Sequence, residues 1–503
     1  MIKRLFCLRW VNFKLALVGQ YYCGGDNWDD FSFRTSFQVF YCDHDFNVHA
    51  LGGCKIAKRG QLPNQEHTEK TMHREFGALD EEYISLGQDV EYYERIRSLR
   101  ERERKSILLG LQDVANNQSK LDIFRKEPVF RESLMRTVSL LSISGQFNRV
   151  LSGGDLGEDF GFTFQPNFGN QNNKTKLTFD TCKDTMPPTN IHVLIGKNGV
   201  GKSSILYKLS RSICLDDPSA GSYSANMSTD TYGHGVKYFS RVVAVAFSAF
   251  DSFSPLYEVD PDRSEVKYSY LGLKKYSEDG ELQIKTTSEI TGEFIEHFES
   301  CIKLGKKSRF DKTLEALESD RLISDLRLSR YFEENGKSLE DLREAFDTLS
   351  SGHKVVLLSA VALVNLVESH TLVLIDEPES HLHPPLLSAF IRAISDLVDF
   401  RNGMGLIATH SPVVLQEVPK LCVYKLTRFG NLLKSERPRI ETFGENVGTL
   451  TSEIFELEVT ETGYHSLLDD ASENFPNYKE AKAHFSNQLG TEAKFILRSM
   501  MEE

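Results

Sequence analysis

The sequence lacks three features that would each indicate a different class of protein. Its 503 residues carry a formal net charge of −13, which argues against a protein that coats nucleic acid through bulk positive charge. Its eight cysteines include no Cys-x-x-Cys pair, so neither a zinc knuckle nor a disulfide scaffold is indicated. No window offers about 18 uncharged apolar residues, and Arg9 and Lys14 interrupt the N-terminal apolar run. We therefore expect a cytoplasmic protein with no export signal and no membrane contact.

What is present is the composition of an ordinary globular chain, 40% hydrophobic and 26% charged. Single hydrophobic cores stop growing well before this length, so we expect two or more structural units. Residues 31–58 alternate apolar and polar side chains around a turn-prone segment, which predicts strands joined by a hairpin. From about residue 70 to residue 150, apolar residues recur at helical spacing with few Gly or Pro, which predicts a helical module.

A glycine-rich segment, Gly196–Ser203, matches the pattern G-x-x-x-x-G-K-[ST] at every fixed position. A short apolar strand precedes it and a plausible helix start follows it, which is the context that a phosphate-binding loop requires. Its backbone N–H groups and the helix N-terminus are suited to phosphate. We predict ATP and Mg²⁺ as cofactors, with Lys202 reaching the β- and γ-phosphates and the Ser203 hydroxyl ligating the metal. The candidate cofactor-binding residues of this loop are Asn198, Gly199, Gly201, Lys202, Ser203 and Ser204.

Two further apolar strands end in polar residues. Residues 371–377 end in two acids, and we expect Asp376 to hold Mg²⁺ through water, with Ser203 as the other metal residue. The pleat of a strand would point the adjacent Glu377 the other way, where it could orient or deprotonate the attacking water as a catalytic residue. Residues 406–410 end at His410, which we predict to be a second catalytic residue that senses the γ-phosphate.

A third candidate element begins at a pair of serines. Ser350, Ser351 and Gly352 precede the apolar run 355–363. A helix that begins here offers hydroxyls, a close backbone approach and free N–H groups, all suited to an anion. Taken alone, the same pattern is also that of a well-capped buried helix.

In their order along the chain, these four elements resemble the ABC-type ATPases of the SMC, RecF and OLD kind. The resemblance implies an α/β fold: an ABC-type P-loop NTPase head with a mixed sheet flanked by helices, a helical insertion and a short C-terminal extension. It also implies a homodimer or higher oligomer, in which Ser350, Ser351 and Gly352 of one head close over the γ-phosphate held by Lys202 of the other. We accordingly divide the chain into N-terminal strands of the ATPase lobe (1–65), a helical module (66–152), the ATPase core (153–430) and a C-terminal extension (431–503).

The sequence departs from this family at two places. Ser351 and His353 stand where the signature usually has Gly and Gln. The strand that begins at Val242 shows no Q-loop glutamine, and Ser248 and Asp251 are the weak candidates that remain. His381 and His383 lie in a segment that resembles the D-loop, where subunit contact or packing is favoured over metal binding.

The flanking regions narrow the choice of ATPase. A transporter subunit would need the missing glutamine, an SMC clamp would need long heptads within 260–345, and an OLD nuclease would need a longer chain after His410. The whole chain most resembles the PtuA ATPases of Septu and retron-associated anti-phage defence systems. That resemblance implies an ATPase whose head dimerisation gates or restrains a separate HNH-type nuclease, sometimes with a reverse transcriptase and its msDNA, so that contact with nucleic acid is indirect.

Two alternatives stay open at this point. One is a DNA-repair or recombination ATPase head that acts directly on DNA, and the other is a scaffold that binds ATP without turnover. The first needs a basic surface. Its best local candidates are Lys303, Lys306, Lys307, Arg309 and Lys312.

Overall fold

The fold is known from a computed structural model, which describes most of the chain. The described residues are 5–7, 19–25, 32–140, 142–153, 159–169, 175–183, 185–226, 238–248, 253–257, 259, 265–277, 279–332, 338–430, 432–461, 463–486 and 488–501. Within them the strands form sheets of six, three, seven and two strands. Over these same ranges, no helix combines the length and the apolar character that crossing a membrane requires.

The first unit is built on the six-stranded sheet, whose strands lie in the order β5-β1-β2-β3-β4-β6. These strands are β1 (Leu5–Cys7), β2 (Tyr21–Gly25), β3 (Ser36–Cys42), β4 (Val48–Lys58), β5 (Glu75–Phe76) and β6 (Tyr83–Gly87). The antiparallel pair β3 and β4 confirms the hairpin predicted within 31–58. The helices that follow are α1 (Val90–Ser98), α2 (Glu101–Gly110), α3 (Gln118–Phe124) and α4 (Asn148–Ser152).

This N-terminal unit corrects two of the predicted boundaries. One continuous core runs from Tyr21 to Val150 and joins the apolar faces of the sheet and the helices. Residues 1–65 are therefore not strands of the ATPase lobe, and 66–152 is not a separate helical module. The reason is physical: a sheet with one apolar face and helices with one apolar stripe bury their surfaces against each other. The segment predicted as helical also contributes β5 and β6 to the sheet.

The second unit, here called the head, contains the seven-stranded sheet. Its strands are β9 (Ile191–Ile195), β11 (Arg241–Ala246), β12 (Lys267–Gly272), β15 (Thr371–Asp376), β16 (Met404–Thr409), β17 (Val423–Phe429) and β18 (Leu432–Glu436). They lie in the order β12-β11-β15-β16-β9-β17-β18. Neighbours pair in parallel except β17 and β18, so the sheet is mixed, as the resemblance implies. The predicted boundary at 431 falls inside the β17–β18 hairpin, and the head sheet extends to Glu436.

Smaller sheets and helices cover both faces of the head sheet. The remaining strands are β7 (Phe160–Pro166), β8 (Leu177–Thr181), β10 (Gly221–Asn226), β13 (Lys274–Tyr276) and β14 (Leu282–Ile284). The helices of the head are α5 (Lys202–Cys214), α6 (Thr287–Lys303), α7 (Lys307–Leu317), α8 (Arg321–Leu326), α9 (Leu339–Asp347), α10 (Ser351–Leu366), α11 (Pro384–Asp399) and α12 (Pro412–Leu415). The helices after the head are α13 (Val447–Glu461), α14 (Tyr464–Asn474), α15 (Tyr478–His484) and α16 (Thr491–Met501).

Alternation along β15 shows how the sheet separates two cores. Leu372 and Leu374 join the core that contains α5 and the sheet β10-β7-β8. Val373 and Ile375 join the core formed with the helices between residues 290 and 398. Because successive side chains of a strand point to opposite faces, Asp376 at the end of β15 falls on the same face as Leu374, toward α5.

A buried ion cluster joins the N-terminal unit to the head. Asp89, which caps α1, lies 2.6 Å from Arg309 Nη2 through Oδ2 and 2.6 Å from Arg401 Nη2 through Oδ1. The side chains of Arg309 and Arg401 are 5% and 2% exposed. Burial alone would raise the pKa of Asp89, but the two guanidinium groups hold it well below its usual range. The cluster therefore keeps all three charges at neutral pH.

These contacts also correct the predicted basic surface. Arg309 is committed to Asp89, and Lys306 is 3% exposed with its Nζ donating to Asn365 O at 2.7 Å. Two of the five basic residues proposed for DNA contact are thus buried inside the protein. The five residues are divided between the end of α6 and the start of α7, and Asp89 of the N-terminal unit pairs with Arg309.

Candidate nucleotide site

The phosphate loop has the backbone that its glycines predict. Gly199 and Gly201 have φ values of 80° and 103°, a region that glycine enters without steric cost. A Cβ at Gly196 would lie 2.4 Å from Leu426 O, so the loop packs closely against β17. Gly201 is the N-cap of α5, and the N-terminal N–H groups of this helix therefore border the loop.

The lysine of the loop lies among carbonyls and carboxylates. Lys202 is 4% exposed, and its Nζ donates to Gly196 O at 3.1 Å and to Lys197 O at 3.3 Å. Burial lowers the pKa of Lys202, while the carboxylates of Glu377, Glu379 and Asp376 act in the opposite direction. The ammonium group thus lies where a phosphate could replace the two carbonyls as its partner.

One contact joins the phosphate loop to the acidic strand end. Ser203 Oγ donates to Asp376 Oδ1 at 2.9 Å. The strand that ends at Asp376 is not the immediate neighbour of the strand before the loop, because β16 lies between β15 and β9. The contact forms nevertheless, because Asp376 continues the face of β15 that packs against α5. A hydroxyl and a carboxylate oxygen at this separation are the hard ligands that Mg²⁺ takes from proteins, which otherwise leave most of its shell to water and phosphate.

Glu377 follows the strand in an unusual backbone conformation. Its φ is 45° and its ψ is 57°, in the left-handed region that costs a non-glycine residue about 1–2 kcal/mol. Its N–H donates to Ala408 O at 2.9 Å. The predicted strand pleat would point Glu377 away from Asp376. That reasoning does not apply, because β15 ends at Asp376 and Glu377 lies outside the strand. Strain of this kind is concentrated at functional sites.

Glu379 belongs to the site, although no sequence motif pointed to it. Its Oε1 accepts from Thr409 Oγ1 at 2.6 Å and from the N–H of His410 at 2.7 Å, and it lies 3.3 Å from His410 Nδ1. His410 Nδ1 also lies 3.9 Å from Glu377 Oε1. Glu379 therefore orients the histidine beside the predicted catalytic carboxylate. The signal available in the sequence was an acid two residues after Glu377, and a surface turn often carries an acid that has no role in a site.

The predicted signature residues lie at the start of α10. Ser350 caps this helix and its Oγ lies 2.6 Å from His353 Nδ1. Ser350 and Ser351 are exposed, whereas Gly352 is buried. A Cβ at Gly352 would lie 2.3 Å from His381 O, so this glycine is required for packing inside its own chain.

Asp320 connects the signature to the segment that resembles the D-loop. Its Oδ1 lies 3.3 Å from His353 Nε2 and its Oδ2 lies 3.5 Å from His383 Nε2. The histidine that replaces the usual glutamine therefore has a definite partner. Nearby, His381 Nε2 is 3.0 Å from Phe247 O at the end of β11.

The structure thus divides the predicted residues into two groups. One group surrounds the phosphate loop and comprises Asn198, Gly199, Gly201, Lys202, Ser203, Ser204, Asp376, Glu377 and His410. The signature residues form the second group, in which Gly352 packs against the D-loop-like segment and Ser350 contacts His353. Of the candidates for the missing glutamine, Ser248 is half-buried after β11, and Asp251 lies outside the described residues.

A mixed, mostly parallel sheet, a phosphate loop between β9 and α5, and an acidic strand end beside that loop define an ABC-type P-loop ATPase head. Residues 292–416 match the family profile described as "AAA domain, putative AbiEii toxin, Type IV TA system". The chain belongs to the family of protein ea59 of Escherichia phage lambda, to which it is 36% identical over 495 residues, covering 95% of this chain and 94% of the relative.

Solved structures with a likeness to the chain are also ABC proteins. An ATP-binding cassette of an ABC transporter in its ADP conformation is 16% identical, with 60% of this chain and 100% of that chain covered and a TM-score of 0.30. A subunit of the ABC transporter complex cbiONQ from Clostridium perfringens is 15% identical, with 63% and 97% covered and a TM-score of 0.28. At these scores the class rests on the strand order and the loop described above, and the likeness to the PtuA ATPases stays a prediction.

Proposed function

We propose that this chain binds and hydrolyses ATP with Mg²⁺. The observation that carries the proposal is the 2.9 Å contact between Ser203 Oγ and Asp376 Oδ1. It brings the two oxygen ligands of a phosphate-bound metal together, although 173 positions separate them in the sequence. A strand-to-helix turn that merely matched the loop pattern would have no need of an acid at this point.

Each residue of the site has a distinct task in this proposal. Lys202 and the N-terminal N–H groups of α5 bind the β- and γ-phosphates. When bound, Mg²⁺ neutralises charge that develops on the phosphate oxygens, with Ser203 and Asp376 as its protein-side ligands. Glu377 orients the attacking water and accepts its proton. His410, held by Glu379, donates a hydrogen bond toward the γ-phosphate.

Steady-state ATP turnover with purified full-length protein tests this assignment. We expect Lys202→Ala to lose ATP binding, and Glu377→Gln to keep binding while losing turnover by about 100-fold or more. The matched control is Glu344→Gln, the same change at an exposed glutamate of α9, which should turn over ATP normally. Unchanged turnover in Glu377→Gln would contradict the role given to this carboxylate. Normal function of Lys202→Ala in the cell would favour the scaffold alternative.

We further propose that two heads close on ATP. Ser350 and Ser351 are exposed at the N-terminus of α10, a position suited to an anion, and their side of the helix is available to a second copy. Light scattering of Glu377→Gln should show a dimer that needs both ATP and Mg²⁺. Ser351→Arg should abolish this dimer, whereas Ser144→Arg, the same change at an exposed serine of the N-terminal unit, should not. An ATP-independent dimer that survives Ser351→Arg would refute this arrangement.

The biological role that we propose is in anti-phage defence, with ATP-dependent head closure restraining a separate HNH-type nuclease. Support comes from the resemblance to PtuA ATPases, from a relative encoded by a phage, and from a family description that names a toxin of a type IV toxin–antitoxin system. The test is a plaque assay with cells that carry this gene and its neighbouring reading frame, compared with Lys202→Ala. DNA cleavage by the purified chain alone, with Glu377→Gln still active, would contradict the division of labour.

A further inference from the structure

A cavity of about 260 Å³ lies between the N-terminal unit and the head. On one side its walls come from β3, from β4 and from Gln88, Arg136 and Thr137. On the other side they come from β11, α6 and the end of α10. This volume is near the lower limit of small-molecule sites, which is roughly 300 Å³. The cavity is separate from the phosphate loop, whose residues do not line it.

Two deeply buried cations line this cavity. Arg241 is 6% exposed and uses Nη1 for Ser269 Oγ at 3.0 Å and Nη2 for Glu368 Oε1 at 3.1 Å. Its Nε is buried and has no hydrogen-bond partner among the described residues. Lys55 is 2% exposed and donates to Ser133 O at 2.8 Å. A buried guanidinium with an unused donor is costly unless a ligand or water completes it.

Further positive groups surround the same space. Arg136 and Lys303 also line the cavity, and Glu296 is the acidic residue in its wall. Glu368 pairs with Arg241 and Glu299 pairs with Lys303, so the four basic side chains stand against three named carboxylates, an excess of one. Gln38 Nε2 donates to Lys303 O at 2.7 Å across the junction, so the two walls are held together at this point.

Two neighbouring groups have lowered pKa values, mainly because they are buried, and nearby basic residues add to the effect. Burial lowers the pKa of Lys267 to about 7, and Arg241, Lys55 and Arg136 act in the same direction while Glu368 opposes them. Burial also lowers the pKa of His297 in the cavity wall to about 4, with Arg241 among the charges that contribute. Arg241, Lys55 and Arg136 contribute to the shift of Lys267, and a bound anion would offset that contribution.

We infer that this cavity binds a small molecule that carries a phosphate monoester. Arg241 and Lys55 hold the phosphate, and Arg136 and Lys303 supply further positive charge around it. The unused Nε–H of Arg241 can donate one hydrogen bond to a phosphate oxygen, and charge-assisted bonds of this kind are stronger than neutral ones. The volume suits a ligand of sugar-phosphate to mononucleotide size. The enclosure between two units favours such a ligand over a nucleic-acid strand. The inference does not depend on ATP hydrolysis, because none of these residues belongs to the phosphate loop.

The test is calorimetric titration of full-length protein that carries Lys202→Ala, so that the phosphate loop does not contribute. The probes are inorganic phosphate, ribose 5-phosphate, AMP and uncharged ribose. We expect one saturable site for at least one phosphate probe and no binding of ribose. Adding Lys303→Glu should weaken this binding about tenfold or more, and Arg241→Gln should abolish it.

The matched control is Lys105→Glu. Lys105 pairs with Glu101 four residues before it, as Lys303 pairs with Glu299, but it lies on α2 away from the cavity. It should leave binding unchanged. Because Arg241→Gln removes a buried ion pair, the folding of this variant is checked by circular dichroism. If it does not fold, Lys303→Glu still tests the inference, because the Lys303 side chain is 39% exposed. Three results would overturn the inference: no phosphate probe binds, ribose binds equally well, or Lys303→Glu weakens binding no more than Lys105→Glu does.

Discussion

Removing one carboxylate should loosen the junction between the two units of this protein. In Asp89→Asn, Arg309 and Arg401 lose the charge that each contacts at 2.6 Å. Glu91 Oε1 is the next carboxylate oxygen, at 4.0 Å from Arg309 Nε and 3.6 Å from Arg401 Nη2. It cannot replace two short contacts, so two buried cations are left facing each other.

The expected magnitude follows from the burial of these groups. Breaking a buried ion pair costs about 3–5 kcal/mol, because the remaining charge is left uncompensated. The charge-assisted hydrogen bond from Arg309 Nη2 to Asp89 Oδ2, at about 1.5–3 kcal/mol, supplies part of this cost, and the ion pair with Arg401 adds to it. At about 1.4 kcal/mol per tenfold change, local opening of the junction should become roughly 100-fold to several thousand-fold more frequent.

Amide hydrogen exchange of α1 and α7 measures this opening directly. Protection in both helices should fall together in Asp89→Asn, while the strands of the head sheet stay protected. The control is Glu101→Gln, which removes an acid from an exposed pair on the neighbouring helix and should leave exchange unchanged. A loss of protection below tenfold, or a loss confined to α1, would refute the claim that Asp89 joins the units.

Three further predictions concern Asp89 at low pH, the carboxylate of Glu379 that orients His410, and Gly352 of the signature. The pKa of Asp89 in the folded protein lies below its value of about 3.9 in the unfolded chain. The ionised carboxylate therefore stabilises the fold above about pH 4, and this stabilisation is lost as the pH falls toward the folded pKa. Protection of α1 against hydrogen exchange should accordingly decline below about pH 4. Glu379→Gln should lower ATP turnover about 10- to 100-fold through loss of a charged acceptor while ATP binding is kept, and a parallel loss of binding would contradict this. Gly352→Ala places a Cβ 2.3 Å from His381 O and should destabilise the head by about 1–3 kcal/mol in denaturant unfolding; an unchanged midpoint would show that the contact relaxes freely.

Local patterns in the sequence predicted the head well. The phosphate loop, β15 with its terminal acid and β16 before His410 each have a short apolar run with a defined end, and such runs depend on neighbours in the chain. The division of the N-terminal half was wrong because its core joins Tyr21 to Val150, and no local pattern records which apolar faces meet. The buried state of Arg309 and the role of Glu379 depend in the same way on residues far away in the sequence.

The contact between Gly352 and His381, together with the Asp320 bridge from His353 to His383, has a consequence for communication between sites. These contacts join the signature to the D-loop-like segment of the same chain. If paired heads close as proposed, the signature of a chain serves the nucleotide of its partner, while His381 reaches back to Phe247 beside its own acidic strand. Occupancy of one nucleotide site would then affect the other, so the two sites of a dimer would be coupled rather than independent.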